Sequence, residues 1–380
     1  MNLKGITWAH TRGKLPVLAT AQRYMELHPE VTISWDARSL KEFGDAPIDK
    51  LAHKYDLIIL DHPWMGFAND TKVLLPLENY LDAPFLEDQK INSVGKSFES
   101  YLYNGHQFAL AIDAACPIAF YSADKLAADA DAKVPATWAD VIALAQRGKV
   151  YCGGNGTSIL MQFYMLMATK TDAQIFTIAD EIAPYDIMKE SLIEVKELFS
   201  YLPDSVFSKN PIGVYEVLAD PATEQYYCPC DFGYSNYSRR GYSTSKIIAT
   251  DVVTYNGNML KTTLGGAGFA ISAKCKNIDL AIDYLKFTAS AATQKTIYSE
   301  SGGQPGHRAA WLDAATNSIT SNFFANTLKT LDNAYLRPRY NGYLGFQETA
   351  GPMIREWIMK GTNVDKLISK LQHLYAQSKN

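Results

Sequence analysis

Tyr103-Asn104-Gly105-His106-Gln107-Phe108-Ala109-Leu110-Ala111-Ile112-Asp113-Ala114-Ala115-Cys116-Pro117 is the stretch that decides the fold. Asn-Gly marks a turn, and the alternation after it sets Phe108, Leu110 and Ile112 on one face of a strand. The other face carries Ala109, Ala111 and Asp113, so backbone or a ligand can approach it closely. An α/β unit precedes this strand and another follows it. A strand between two such units is a crossing, and crossings make clefts. Asp113 stands among apolar neighbours, and a buried carboxylate there needs a hydrogen bond or a charge. A ligand on the cleft floor and a hinge-stabilising bond to backbone both meet that need.

Upstream, the chain reads as a β-α-β-α-β run. Strands are expected at 5–9, 31–35 and 56–60, with helices starting near Pro16 and Pro47. This alternation specifies a parallel sheet covered by helices. Ligands of such sheets sit beyond the carboxyl ends of the strands. That rule selects His10, Thr11 and Arg12 after the first strand, Asp36 and Arg38 after the second, and Asp61, His62 and Trp64 after the third. A carboxylate, an imidazole and an indole in Asp61-His62-Pro63-Trp64 form a polar clamp with a stacking plate. The bland reading has Trp64 capping the core, Asp61 capping a helix and the first loop merely solvated.

Downstream, Thr137-Trp138-Ala139-Asp140 reads as a capping box opening a helix that stops at Gly148. A short strand at 149–152 leads into Gly153-Gly154-Asn155-Gly156-Thr157-Ser158 and an apolar helix at 159–168. Backbone N–H groups of that turn, with Asn155 inside it, suit an anion or hydroxyl oxygen. The spacing matches no phosphate loop. Residues 172–245 turn from helical to loop-rich and aromatic, with Tyr234, Tyr237 and Tyr242 as stacking or wall residues. A glycine-rich strand at 264–271 reads as a second crossing, where Gly265 and Gly266 admit close approach of a ligand or serve the hinge alone. The spacing of Ile278, Ala281, Ile282 and Leu285 predicts an amphipathic helix. The C-terminus reads as helical from Pro352.

At 380 residues the chain exceeds what one core usually serves. A net charge of -4 and the lack of a basic run argue against nucleic acid as partner. The 23 Tyr, 16 Phe and 6 Trp suit stacking on a ligand's apolar face. No stretch is long and apolar enough for a bilayer span. Residues 1–8 read as a first strand without a signal-peptide h-region, consistent with a trimmed export signal or a cytoplasmic protein. Cys116, Cys152, Cys228, Cys230 and Cys275 form no disulfide framework. Tyr226-Tyr227 beside Cys228 and Cys230 invites a metal reading, yet hard oxygen and soft thiolate prefer different metals. No metal and no cofactor are expected. The chain has no nucleophile elbow, HExxH motif or Walker loop, so no catalytic residue is expected. The geometry of acid pairs for glycoside hydrolysis is not visible in a sequence.

In order and spacing, several segments resemble the extracellular solute-binding proteins of ABC importers, family 1, in the group that includes sugar binders. They are the 56–61 strand with Leu74-Leu75-Pro76-Leu77, the 103–121 crossing, Pro135-Ala136-Thr137-Trp138, Gly265-Gly266-Ala267-Gly268-Phe269-Ala270-Ile271-Ser272 and Gly302-Gly303-Gln304-Pro305-Gly306. The resemblance implies an α/β, two-lobed type II periplasmic-binding-protein fold, its two α/β lobes joined by crossing hinge strands. Lobe one is expected at 1–112 plus 266–314 and lobe two at 113–265 plus 315–380, with the hinge near 110–116 and 262–268. It implies a monomeric receptor, periplasmic or extracellular, that closes on a small polar ligand, a sugar or polyol, and presents it to an ABC permease. Asp61, His62 and Trp64 would hold one side, Tyr234 and the Asn155 turn the other, and Asp113 the floor. His10, Thr11, Arg12, Arg38, Gly266, Gln304 and Arg339 complete the expected set, Arg339 lying in a loop with Arg337 and Tyr340 suited to a ligand carboxylate. A cytosolic sensor or carrier for a small carboxylate is the alternative. Ferric-ion binding through Tyr226 and Tyr227, with His10, ranks last.

Overall fold

The computed structural model describes residues 1–45, 47–131, 133–178 and 181–379. In chain order, the elements that build its two larger sheets and their main covers are β1 (Asn2–Trp8), α1 (Thr11–Leu27), β2 (Thr32–Arg38), α2 (Leu40–Asp45), β3 (Leu57–Leu60), β4 (Leu110–Ala115), β5 (Pro117–Ser122), α3 (Gly156–Lys170), β6 (Tyr227–Phe232), β7 (Ile247–Thr250), β8 (Gly265–Ile271), α4 (Ile278–Ala289) and α5 (Tyr343–Lys360). Among the described residues no helix is long and apolar enough to cross a membrane.

The chain divides into two compact units. Unit one is Met1–Ala115, Leu264–Thr320 and Arg339–Asn341; unit two is Cys116–Thr263, Ser321–Pro338 and Gly342–Asn380. After a short hairpin of Leu102–Tyr103 with His106–Gln107, the 103–117 stretch therefore feeds two sheet strands rather than one, β4 in unit one and β5 in unit two, with Cys116 as the break. Arg339–Asn341 fall in unit one, whereas the sequence placed 315–380 in lobe two. The reason is local: the Arg339 guanidinium donates to the carbonyls of Glu99 (2.5 Å), Ser100 (3.1 Å) and Leu102 (2.7 Å).

In unit one the sheet order is β2-β1-β3-β8-β4. β1 pairs in parallel with β2 and β3, while β8 runs antiparallel to both β3 and β4. The carboxyl ends of β1, β2, β3 and β4 and the amino end of β8 therefore share one edge. β3 is buried along its whole length, as expected of a strand covered on both faces. One face holds Leu3, Ile33, Trp35, Leu57, Ile59 and Phe269 against α1 and α4. α1 starts five residues before Pro16, because His10 caps it: its Nδ1 accepts the Arg12 amide hydrogen at 3.0 Å. The expected loop 10–13 is thus a helix start, and Pro16 lies inside the helix.

Unit two is built on the antiparallel order β6-β5-β7, with Val150 adding a parallel bridge to Tyr227. α3 is apolar around its circumference, and residues from Ser158 to Thr169 are buried without a break. α5 crosses α3 at a close approach of backbones: a Cβ on Gly351 would stand 2.5 Å from the Gly156 carbonyl oxygen. α5 begins nine residues before Pro352, which sits within it rather than at its start. The expected capping box forms: Thr137 Oγ1 accepts the Asp140 amide hydrogen (3.2 Å), and Asp140 Oδ2 accepts that of Thr137 (2.8 Å). Thr137→Ala should cost about 1 kcal/mol in urea denaturation, the usual loss of an N-cap.

Candidate functional site

Unit one's shared edge collects most of the residues that the strand-end rule selected. His10 is half-buried, and burial, helped by Arg12, pulls its imidazole down to about 4, so it is neutral at physiological pH. Thr11 is the first residue of α1 and half-buried. Asp61 caps a one-turn helix at His62–Trp64, accepting the His62 amide hydrogen at 2.8 Å, with His62 Nδ1 at 3.1 Å. Its side chain keeps 19% of its surface exposed, while His62 is fully buried and meets the Tyr101 ring edge-on at 6.3 Å. Trp64 is buried with its ring edge-on to Phe67, and among the described residues its indole N–H has no partner. The Trp64 indole N–H, three residues after Asp61, is a donor that the described protein groups have not taken up.

Arg12 and Asp113 correct the sequence reading, which gave both a ligand role. They bind each other: Nε donates to Oδ2 at 2.8 Å and Nη2 donates to Oδ1. Both side chains are buried. Burial pushes the Asp113 carboxyl up, and the guanidinium opposes that. The partner of Asp113 is thus neither a ligand nor backbone, the two options the sequence offered, but an arginine 101 residues earlier. Gln304 is also committed to structure, its Nε2 donating to the Ala114 carbonyl at 2.9 Å while its own carbonyl accepts from Ala114 N at 3.0 Å. Gly266 has φ +113°, and a Cβ there would overlap the Asp113 carbonyl, so the glycine is demanded by the β8–β4 pairing. Arg339 holds the three carbonyls named above through Nη1. Arg38 is buried and donates to the Glu42 and Ile59 carbonyls at 3.1 and 3.0 Å.

In unit two, four amides of the glycine turn are taken by protein acceptors. Gly154 N–H goes to the Val206 carbonyl, Asn155 N–H to that of Lys209, and Ser158 N–H to Asn155 Oδ1. Gly153 N–H goes to Asp231 Oδ2 at 3.0 Å. Asn155 is the N-cap of α3. The sequence missed Asp231, though a carboxylate ending an apolar strand was the available signal. Tyr234 is buried, its N–H donating to the Tyr215 hydroxyl at 3.1 Å. Phe120, Tyr215 and Tyr237 stack face to face, with centroids 3.9 and 4.5 Å apart, and half-buried Tyr242 meets Tyr237 edge-on at 5.1 Å. Tyr226 donates to Asp129 at 3.0 Å and Tyr227 is fully buried, so neither oxygen is set out for iron. Among the described residues no three His, Cys, Asp or Glu side chains are grouped to hold a metal ion.

Burial raises Asp231 to about 7, with hydrogen bonds from Phe232, Gly153 and Ser158 opposing it. Its folded-state value lies above the 3.8 of an unperturbed carboxyl, so the folded chain keeps this proton longer than the unfolded chain. The group's contribution to stability is full below the unfolded value and is lost as pH rises towards about 7. Asp231→Asn should remove that slope. Urea denaturation of both proteins at about pH 5 and about pH 8 checks it, the variant gaining on the parent as pH rises.

Residues 8–202 match the family of bacterial extracellular solute-binding proteins. Among solved structures, the chain is similar to maltose-bound MalE3 of T. maritima at TM-score 0.81 and 15% identity, covering 98% of this chain and 99% of that one. A solute-binding protein of Agrobacterium radiobacter K84 in complex with ribitol aligns at TM-score 0.78 and 17% identity, covering 99% and 98%. One from Thermotoga lettingae TMO bound to α-D-tagatose aligns at 0.79 and 13%, covering 100% of both chains. No curated protein sequence matches this chain. These likenesses establish the fold as the two-lobed periplasmic-binding type.

Proposed function

Because the chain belongs to the bacterial extracellular solute-binding proteins, we propose that it captures a small polar solute, a sugar or polyol, outside the cytoplasmic membrane and delivers it as a monomer to an ABC permease. The observation that carries this reading is the convergence of strand ends in unit one, where the partly exposed Asp61 carboxylate, the unpartnered Trp64 indole N–H and neutral His10 share one edge of the sheet. Asp61 accepts solute hydroxyls, the Trp64 indole N–H donates to one, and Asn155 and Tyr234 are unit two's proposed contribution. Closure of the two units is the proposed capture step, driven by the solute's higher affinity for the closed state. Solutes of the structural neighbours, maltose, ribitol and tagatose, are polyhydroxylated and support this chemistry.

A thermal-shift series with sugars, polyols and sugar acids tests the proposal, since a ligand of the folded state raises apparent stability by mass action. With a solute in hand, Asp61→Ala should weaken binding by roughly ten- to a hundredfold, the worth of a hydrogen bond to a charged group. Unchanged affinity in both Asp61→Ala and Trp64→Ala would remove the site assignment.

A further inference from the structure

Arg38 and Trp8 end neighbouring strands and are register partners in the β1–β2 pairing. Both are more than nine-tenths buried, at 7% and 4% exposure. Both pack on the same ring: the Arg38 guanidinium carbon lies 5.4 Å from the Phe43 centroid, and the Trp8 ring centroid lies 4.8 Å from it. Among the described residues neither Arg38 Nε nor Trp8 Nε1 has a hydrogen-bond partner. The guanidinium reaches the Ile59 carbonyl of β3, two residues before Asp61, and the Arg38 carbonyl accepts the Ala9 amide hydrogen. It therefore lies at the same sheet edge as His10 and Asp61.

A guanidinium stays charged in a protein, and a buried charge needs a counter-charge as well as hydrogen bonds. Arg38 donates to two carbonyls, which are dipoles without net charge. Glu42 is the carboxylate that acts on Arg38 electrostatically, and the hydrogen bonds of the nearby acids go elsewhere. Glu42 caps Ser39 through its backbone and hydroxyl, Asp36 pairs with Lys4, and Tyr55 donates to Asp36. Burial accordingly pulls the Arg38 guanidinium down to about 10. What the place lacks is an acceptor for two N–H groups, Arg38 Nε and Trp8 Nε1.

We propose that Arg38 Nε and Trp8 Nε1 form a subsite for a single negative charge, taking either the carboxylate of an acidic sugar derivative or a free monovalent anion. The carboxylate arm rests on the solute-binding reading; the free-anion arm does not. Arg38 supplies the charge and one donor, Trp8 the second donor, and the Phe43 ring covers the pair. A solute whose chain ends at Asp61 would reach this charge through its acidic terminus, which would make Arg38 the residue that separates sugar acids from neutral polyols.

The test compares D-gluconate with D-glucitol by calorimetry in a chloride-free zwitterionic buffer, and sodium chloride with sodium acetate by thermal shift, on the parent chain, Arg38→Met and Trp8→Phe. Trp8→Phe keeps the ring and loses the N–H, so it carries the test should Arg38→Met fold poorly. If the subsite takes the solute's carboxylate, gluconate binds at least about tenfold more tightly than glucitol, as charge-assisted bonds imply. That ratio then falls several-fold in Trp8→Phe and collapses in Arg38→Met. If it takes a free ion, chloride or acetate gives a saturable rise in Tm that both variants lose, while gluconate and glucitol bind alike. A ratio near one with no saturable ion effect overturns the subsite, as does an ion effect that survives in both variants. Failure of every sugar, polyol and sugar acid to bind, with an Arg38-dependent ion effect intact, would sink the solute reading and leave the subsite standing.

Discussion

Arg12→Met should destabilise the folded chain by about 3–5 kcal/mol, the cost of stripping a buried carboxylate of its partner. Both side chains of the pair are almost completely enclosed, at 6% and 0% exposure, and the contact is two-pronged. Burial already pushes the Asp113 carboxyl up; Arg12 is the charge that holds it down. Methionine fills the arginine's stem and leaves the carboxylate to take up a proton or stay unpaired, both unfavourable. The penalty should be largely repaired in Arg12→Met/Asp113→Leu, because an apolar pair owes no desolvation cost. Urea denaturation of the two singles and the double gives the coupling. Simple additivity would show that the two groups act independently and that the ion pair does not hold the start of α1 to the end of β4.

Gly351→Val should be the other severe change, at about 3 kcal/mol for a forced overpacking. Valine's Cβ would meet the Gly156 carbonyl oxygen at 2.5 Å, and that oxygen has little room to retreat. Gly156 is the first residue of α3, and the preceding residues are tied on all sides: Asn155 caps the helix, Gly154 N–H is held by Val206, and Gly153 N–H by Asp231. A Cβ on Gly156 would itself stand 2.9 Å from Pro352 in α5. Gly351→Ala should be smaller than the valine change, since it keeps the first clash and omits the branch. Thermal melts of the two variants check the order; equal melting points for Gly351→Val and the parent would mean that α5 slides over α3 without penalty.

Much of the architecture is legible because it rests on local pattern. The apolar run Leu57–Leu60 is buried on both faces, the Thr137–Asp140 capping box forms as spaced, and the glycine-rich strand pairs where close backbone approach is required, at Gly266. Boundaries fail where a side chain outweighs a punctuation residue. Pro16 reads as a helix start, yet the His10 imidazole caps α1 six residues earlier. Pro352 likewise lies within α5. The site is less legible than the fold because charge pairing is long-range. Nothing local to Arg12 or Asp113 announces a partner 101 residues away, and nothing local to the 153–158 turn announces that Asp231 takes the first of its amides. Position at a strand end brings these residues to one edge of the sheet, but it does not tell which groups there are already satisfied.

Direct titration of the purified protein with neutral sugars and polyols, followed by calorimetry, tests the central claim most directly. The account predicts one-to-one binding of at least one polyhydroxylated solute, recovered chemically unchanged, with affinity lowered at least about tenfold by Asp61→Ala. Conversion of the solute to product, or an affinity indifferent to Asp61→Ala and Trp64→Ala alike, would contradict it.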